Sequence, residues 1–440
     1  MIWNLKNKTC FPPPVEITKV IANRGKSESG THWAWVVLGS SFVTLFVTYS
    51  IRIGAYSVLL PEMIKDFRIT KAEAGMMKSA FSMTYLLFAP LMGWLTDRIG
   101  GRKVISLFCL LLGGGTFLMG TAKDLPISVI YYSFVGIGAS ATWVPIVTLI
   151  QNWFGEKKRG LALGILSPSY GIGFGLMGVI LPVVVSEYHW RLGWFSLGIA
   201  GLFLIFLNGM LLRDHPEKMA LSPWGESRGE GTEKMAPPSQ RIGYFEILRR
   251  GQFWIIGVSY FFISYGTYTL VDFIVTYGVM ELNIPYAVAS LSITVVAFSG
   301  VIGGFLLMAL SDSIGRKTSL VIIQSLLALS ILFVMGVGSR VSLLMVGLGC
   351  FGFLYGAIWP MYGACARDYF PKEITGAVFG LMTIFYGVGA MISPVLTGHL
   401  ADLTGTFQWS FGLGAFAALM ATLLTGWMGK PETPGKERDA

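Results

Sequence analysis

The stretch Gly93-Trp-Leu-Thr-Asp-Arg-Ile-Gly-Gly-Arg-Lys103 lies between two long apolar runs that carry almost no charge. Glycine enters positive φ at little cost, so Gly100 and Gly101 predict a tight turn. A weaker copy, Ser311-Asp-Ser-Ile-Gly-Arg-Lys317, lies far downstream. Two such loops in matching places indicate a chain built from two related halves.

The composition indicates a membrane protein. Of the 440 residues, 53% are hydrophobic, only 13% are charged and 55 are glycine. A soluble domain carries about 25% charged residues, and small residues let membrane helices approach closely. The four cysteines show neither metal nor disulfide spacing, and no Walker loop, catalytic triad or HExxH motif occurs. We therefore predict that the protein is not an enzyme and needs no metal or cofactor.

Apolar runs long enough to cross a bilayer, about 20 residues each, number twelve. They predict membrane helices over 33–60, 72–95, 103–121, 126–153, 160–186, 191–213, 252–280, 286–310, 317–338, 342–366, 374–400 and 407–428. The predicted fold is an all-α membrane protein with two pseudo-symmetric six-helix bundles. Its predicted parts are a tail (1–30), a first bundle (31–213), a polar linker (214–250), a second bundle (251–428) and a tail (429–440).

The basic residues predict the orientation of the chain. Of the 33 Lys and Arg, 25 fall in segments on the side of the two termini, 6 on the other side and 2 within predicted spans. Cytoplasmic loops carry such an excess, so both termini are expected in the cytoplasm, in the cell's inner (plasma) membrane. The net charge of +9 thus reflects topology. We expect a monomer among membrane lipids, with no nucleic-acid partner.

The two halves repeat in sequence. Seven residues recur at an offset of 216, among them Trp143 and Trp359 as well as Tyr170 and Tyr386. Trp35 matches Trp254 at an offset of 219. Repeats of this kind are typical of alternating-access transporters, whose substrate site lies between the halves.

The charged loops and the repeat resemble the major facilitator superfamily over about residues 30–430. Within it, the chain is most similar to the monocarboxylate porters and oxalate–formate antiporters. That narrower resemblance rests on His32-Trp-Ala-Trp-Val-Val, Ser167-Pro-Ser-Tyr-Gly171 and Arg250-Gly-Gln-Phe-Trp254. The chain departs from both groups because predicted helix 8 has no charge at its centre and helix 11 has no Lys or Arg.

Three charges lie well inside predicted spans: Arg52, Lys78 and Asp272. Each costs at least about 2.5 kcal/mol at a helix centre unless a partner or water compensates. Arg52 and Asp272 lie at nearly equivalent depths of symmetry-related helices, which predicts a pair across the halves. We expect Arg52 to bind an anionic substrate and Asp272 to exchange a proton, or the two to form a structural salt bridge. Lys78 is expected to extend outward to the interface; the alternative is that it attracts anions in the outer vestibule.

Aromatic residues predict the walls of the site. Proline bends helices where a cavity is lined, and Trp143 and Trp359 precede such prolines. Tyrosine hydroxyls can hydrogen-bond a substrate while their rings shape an apolar pocket. The predicted substrate-binding residues are therefore Arg52, Tyr132, Trp143, Tyr170, Tyr355, Trp359 and Tyr386. Aromatic packing is the alternative for any single tyrosine.

The charged loops themselves are predicted to gate the pathway. By resemblance, Asp97 would pair with Arg102 and with the start of helix 11 when the cytoplasmic side is closed. The predicted gating residues are Asp97, Arg98, Arg102, Lys103, Asp312, Arg316 and Lys317. The latch is expected to be stronger in the first half.

These features predict a secondary active transporter for a small organic anion, a monocarboxylate, coupled to protons. One interior arginine suits a monoanion. The alternatives are an exporter of drugs or metabolites with the same fold, and a ligand sensor that does not transport.

Overall fold

The computed structural model describes residues 32–226, 244–371 and 374–429. Twelve long helices account for most of them. They are α1 (Trp33–Phe67), α2 (Lys71–Ile99), α3 (Gly101–Met119), α4 (Leu125–Trp153), α5 (Glu156–Glu187), α6 (Trp190–Leu211), α7 (Gly251–Met280), α8 (Tyr286–Ile314), α9 (Arg316–Val337), α10 (Val341–Tyr369), α11 (Thr375–Thr404) and α12 (Gln408–Trp427). The predicted all-α fold is confirmed.

Eleven of the twelve helices are long and apolar enough to cross a membrane by length and composition. The exception, α2, is the helix that contains Lys78. Its own beginning is well defined, because Thr70 and Glu73 form a capping box at its first turn. The first turn of α2 is therefore stabilised by its cap, although α2 is less apolar than the other helices.

Two glycines end the helices that precede the charged loops. Gly100 follows α2 with φ +89, and Gly315 follows α8 with φ +88. Each glycine donates its backbone N–H to a carbonyl four residues earlier, at 3.0 Å for Gly100 and 3.1 Å for Gly315. This backbone geometry favours glycine, so the tight turns predicted from the two loops are present in both halves.

Three helices contain interruptions. In α1, a π-helical segment, Ser50–Ala55, separates Trp33–Tyr49 from Tyr56–Phe67. The helix also continues through Pro61 and runs seven residues beyond the predicted end. A turn at 141–142 divides α4, and a turn at Ser167 divides α5.

The first six helices form the N half and the last six form the C half. The halves meet through α2 with α11, α5 with α8, and α1 with α7. Their hydrogen bonds to each other include Ser57 Oγ to Val271 O (3.0 Å) and Thr294 Oγ1 to Gly175 O (2.7 Å). These contacts lie toward the end of the bundle where α2 begins, which we call the closed end.

Glycines show that the halves separate toward the opposite end, which we call the open end. Near the closed end, a Cβ on Gly175 would lie 2.7 Å from the side chain of Ala297 on α8. A Cβ on Gly164 of α5 or Gly380 of α11, both toward the open end, would meet no atom within 4 Å. Of these three glycines, only Gly175, toward the closed end, packs closely against the other half.

The polar linker begins against the N half. The carboxylate of Asp214 accepts a hydrogen bond from the backbone N–H of Arg102 at 2.8 Å, at the start of α3. Trp224 forms an isolated β-bridge with Phe154, and the centres of the Trp224 and Trp35 rings lie 5.0 Å apart. Residues 227–243 of the linker, the predicted tail 1–30 and residues 430–440 of the predicted C-terminal tail lie outside the described residues.

Candidate functional site

The π-helical segment of α1 carries Arg52 at the centre of the bundle. A π-helix changes the hydrogen-bond pattern of the backbone and often marks a functional site. The backbone carbonyl of Arg52 accepts a hydrogen bond from Lys78 Nζ at 2.6 Å and one from the Tyr132 hydroxyl at 3.2 Å. Side chains of α2 and α4 therefore hold this segment of α1.

The guanidinium of Arg52 is half-buried and lies among aromatic rings. Its Nη2 donates to the Tyr268 hydroxyl at 3.2 Å, and its carbon lies 4.9 Å from the centre of the Tyr85 ring and 5.4 Å from that of Tyr49. Its Nε has no hydrogen-bond partner among the described residues. Since arginine has five N–H donors, this guanidinium retains donors for an anion.

A ring of tyrosines surrounds this guanidinium, and each half contributes three of them. Tyr170 packs against Tyr49 at 5.6 Å, and Tyr386 packs against Tyr268 at 5.9 Å. Arg52 also lies within electrostatic range of the Tyr355 hydroxyl. We call these residues the tyrosine ring: Tyr49, Tyr85, Tyr170, Tyr268, Tyr355 and Tyr386.

The predicted substrate residues occupy three different places. Tyr170, Tyr355 and Tyr386 belong to the tyrosine ring. Tyr132 is fully buried behind Arg52, where it stacks on Tyr56 at 5.7 Å. It therefore supports the site from behind.

Trp143 and Trp359 face each other across the two halves, with ring centres 5.1 Å apart. Each lies ten residues before the open end of its helix, which is about 15 Å along the helix axis. The two indoles therefore lie between the tyrosine ring and the open end.

The partner of Asp272 is Lys78, and the predicted pair between Arg52 and Asp272 is wrong. Lys78 Nζ lies 3.3 Å from Asp272 Oδ1, and the two side chains are 1% and 0% exposed. The expectation that Lys78 extends outward to the interface is also wrong, because its ammonium turns inward to the carbonyl of Arg52. The pair joins α2 of the N half to α7 of the C half, on the closed-end side of Arg52.

The sequence reasoning missed Tyr49, Tyr85 and Tyr268. A signal for two of them was present: Tyr49 and Tyr268 match at the offset of 219 that relates Trp35 to Trp254. Both contact Arg52, one through its ring and the other through its hydroxyl. No comparable signal marks Tyr85. At the offset of 215 that relates Asp97 to Asp312, its counterpart in the C half is a glycine, Gly300.

The gating residues of the first loop do not form the predicted pair in this conformation. Asp97 is exposed and makes no ion pair or hydrogen bond with any residue that the structure describes. Arg102 Nε donates to the carbonyl of Gly209 at 3.0 Å, and Arg98 lies 4.2 Å from the centre of the Trp94 ring. Lys103 is exposed. The latch between Asp97, Arg102 and α11 stays a prediction for the conformation in which the open end closes.

The second loop has its acid paired. Arg316 binds Asp312 and lies 3.8 Å from Asp368. Lys317 donates to the carbonyl of Met428. The acid–base contact expected to be stronger in the first loop is thus formed only in the second, within the part of the chain that the structure describes.

The described residues contain no cluster of three or more His, Cys, Asp or Glu that could hold a metal ion. Chemically, the centre of the bundle offers one half-buried arginine, six tyrosines and a buried lysine–carboxylate pair. Such a site can bind an anion and hold a proton.

A sequence model of the Major Facilitator Superfamily matches residues 38–291 and 261–440. The chain belongs to this superfamily and is an integral membrane transporter protein of that fold.

Curated relatives match over nearly the whole chain. A probable sulfoacetate transporter of Cupriavidus necator is 24% identical, covering 92% of this chain and 97% of the relative. A probable galactarate/D-glucarate transporter of Escherichia coli K12 is 24% identical, with 90% and 94% covered. A hexuronate transporter of Bacillus subtilis is 24% identical, with 84% and 89% covered. None of these three is a monocarboxylate porter or an oxalate–formate antiporter, so the narrower resemblance is not confirmed.

The fold is similar to that of a bacterial homologue of the human lysosomal transporter Spinster, solved in an inward-facing, unoccupied conformation. The TM-score is 0.69 at 16% sequence identity, covering 92% of this chain and all of that one. This likeness concerns the fold alone.

Proposed function

We propose that the protein is a secondary active transporter that moves a small organic monoanion, a monocarboxylate, across the plasma membrane together with protons. The single observation that carries this proposal is the Arg52 guanidinium, half-buried between the two halves, whose Nε has no hydrogen-bond partner among the described residues. A carboxylate can occupy two guanidinium donors at once. Alternating access would expose this group to each side in turn.

Charge supports a monoanion. Lys78 and Asp272 neutralise each other, which leaves Arg52 as the uncompensated charge at the site. The relatives named for sulfoacetate, glucarate and hexuronate support an organic anion in general. Six tyrosines, whose hydroxyls can donate and accept hydrogen bonds, also suit a carboxylate that bears hydroxyl groups.

We assign proton coupling to Asp272. Its carboxylate is fully buried, and a buried charge is costly unless it is paired. The pair with Lys78 bridges the halves on the closed-end side, so the closed end cannot open while this contact persists. Protonation of Asp272 removes the attraction and allows that end to open. If the loops rich in Lys and Arg are cytoplasmic, the conformation is inward-facing.

Purified protein in liposomes provides the test. Uptake of lactate, D-glucuronate, D-glucarate, sulfoacetate and benzoate would be measured with and without an inward proton gradient. We expect a monocarboxylate to be taken up faster with the gradient, and Arg52→Ala to weaken its binding about 100-fold, since truncating one partner of a buried charge pair costs about 2–5 kcal/mol.

The matched control is Arg191→Ala, which removes an arginine paired with Asp66 at 2.7 Å near the closed end, away from the site. Unchanged uptake by Arg52→Ala would overturn the proposal. Uptake of lipophilic cations in place of anions would favour the exporter.

A further inference from the structure

Lys78, on α2, contacts two other helices at once, α1 and α7. Its ammonium lies 3.3 Å from Asp272 on α7 and 2.6 Å from the carbonyl of Arg52 on α1. It also lies 4.8 Å from the centre of the Tyr56 ring and 5.6 Å from that of Phe81. No other described side chain connects the carboxylate of Asp272 to the backbone of Arg52.

Asp272 depends on Lys78 for its charge. Apart from its ion pair with Lys78, neither carboxylate oxygen accepts a hydrogen bond from any described residue. The charged or titratable groups that face it are Lys78 of α2, Arg52 and Tyr56 of α1, and Tyr132 of α4. The acids and bases of α8 and α11 lie near helix ends, Asp312, His399 and Asp402, and α12 contains none. Without the lysine, an apolar environment would hold the carboxyl in its neutral form.

We propose that Lys78 is a positioning residue that keeps Asp272 able to lose and regain its proton and passes that charge change to Arg52. The proposal rests on the proposed function. With Asp272 ionised, Lys78 is neutralised and Arg52 alone attracts the anion. With Asp272 protonated, the charge of Lys78 is uncompensated beside Arg52, held by the Arg52 carbonyl and two rings. The anion then binds more tightly, and by linkage the bound anion favours the proton.

The experiment is the pH dependence of binding. The dissociation constant of the tightest-binding carboxylate among the five named above would be measured between pH 5.5 and pH 8 by calorimetry on the full chain. We expect wild-type affinity to rise about tenfold as the pH falls, since a tenfold change is about 1.4 kcal/mol. Lys78→Met and Asp272→Asn should both show a flat profile, and Lys78→Arg should restore the slope.

The experiment has a matched control, and separate outcomes would contradict the role of Lys78 and the proposed function. Lys65→Met removes an exposed lysine that pairs with Glu62 at 2.9 Å on the same helix as Arg52, and it should keep the wild-type slope. A wild-type slope in Lys78→Met would overturn the role of Lys78. If Lys78→Met does not fold, Lys78→Gln, which can still donate to the Arg52 carbonyl, serves instead. Binding that survives Arg52→Ala would overturn the proposed function itself.

A separate observation concerns the two ends of the antiparallel pair α2 and α11. Asp402 lies two residues before the end of α11, at the closed end. Its carboxylate accepts hydrogen bonds from the first backbone N–H groups of α2, Lys71 (3.1 Å) and Ala72 (2.8 Å). Lys71 Nζ adds a bond to the carbonyl of Ala401 at 3.5 Å.

Asp97 is the counterpart of Asp402 at the open end. It lies two residues before the end of α2, on the side where α11 begins, and it has no partner among the described residues. A carboxylate is stabilised at a helix N-terminus by free N–H groups and the helix dipole. We infer that Asp402 holds the closed end shut in the conformation described, and that it releases α2 when Asp97 engages α11.

Labelling tests this exchange. Ser79, whose hydroxyl donates to Met391 O at 2.5 Å across the halves, would be changed to cysteine after Cys10 and Cys350 are replaced by serine. Its reaction with a membrane-impermeant maleimide reports opening of the closed end. We expect Asp402→Ala to raise the labelling rate severalfold and Asp97→Ala to lower it. An unchanged rate in Asp402→Ala would overturn the inference, and Asp66→Ala at the same end is the matched control.

Discussion

Helices α1 and α7 occupy equivalent places in the two halves but contribute opposite charges. In α1 the backbone changes to a π-helix at Ser50–Ala55 and presents Arg52, while α7 is an uninterrupted α-helix from Gly251 to Met280 that presents Asp272. The cations, Arg52 and Lys78, both come from the N half. Each half alone would bury an unpaired charge, so the site is electrostatically complete only when the halves meet.

The charged loops of the two halves also differ, in whether their acidic residue has a partner. In the N half, Asp214 of the linker caps the start of α3, and Asp97 has no partner among the described residues. In the C half, Asp312 pairs with Arg316 within its own loop. The N-half loop therefore keeps an acid available for another conformation, and the C-half loop does not.

The largest expected effect comes from breaking the charge balance between the halves. Lys78→Met or Asp272→Leu alone should destabilise the protein by about 3–5 kcal/mol, because each leaves the remaining buried group either charged without its partner or forced into its neutral form. The double variant should recover most of the loss. Chemical denaturation of purified protein in detergent gives the free energies of unfolding. Additive losses in the double variant would show that the two side chains do not depend on each other.

A smaller effect distinguishes the two loops. Gly100→Ala and Gly315→Ala both force alanine into a left-handed backbone, at about 1–3 kcal/mol each. Gly100→Ala should cost more, since its Cβ would lie 2.6 Å from Asp214 Oδ2, whereas the Cβ of Gly315→Ala would meet no atom within 4 Å. The same denaturation assay measures the difference. Equal losses would mean that Asp214 moves away without cost.

Removing the C-half charge should change which anion is preferred. Asp272→Asn leaves Lys78 uncompensated, and one added charge about 10 Å away is worth roughly tenfold in affinity at an effective dielectric constant near 20. The ratio of dissociation constants for D-glucuronate and D-glucarate should therefore shift toward the dianion. Asp66→Asn, which affects an exposed acid, should leave the ratio unchanged. A constant ratio in Asp272→Asn would place its charge outside the reach of the substrate.

The smallest effect separates the symmetry-related tyrosines. Tyr268→Phe removes the hydroxyl that binds Arg52 and should weaken anion binding about fivefold, as for one neutral hydrogen bond of about 1 kcal/mol. Tyr49→Phe keeps the ring over the guanidinium and should change affinity less. Calorimetry with the same carboxylate measures both. A larger loss in Tyr49→Phe would reverse the assigned roles.

Much of the fold could be predicted because bilayer thickness and glycine turns leave strong local patterns. The apolar runs located all twelve helices, and the repeat offset related the halves. Arg52 and Asp272 were found because charge within an apolar run is conspicuous. The partner of Asp272 was not found. Lys78 lies on α2, and the local sequence does not show whether Arg52 or Lys78 faces Asp272 on α7.

The π-helix could not be predicted either. Ser50–Ala55 has the composition of an ordinary helix, and the groups that bond the carbonyl of its Arg52, Lys78 and Tyr132, come from other helices. The mistaken pairing of Arg52 with Asp272 has the same origin: depth along a helix is visible in the sequence, but rotation about its axis depends on packing.

The buried charges also determine how a voltage acts on the cycle. With Asp272 ionised, Arg52, Lys78 and Asp272 sum to one positive charge, and moving one charge through 100 mV is worth about 2.3 kcal/mol. A monoanion bound with one proton leaves that sum unchanged, so the empty and loaded carriers respond alike and a full turnover moves no net charge. A dianion with one proton leaves the site neutral, and each turnover then moves one negative charge. Electrical current across the membrane therefore reports the valence of the cargo.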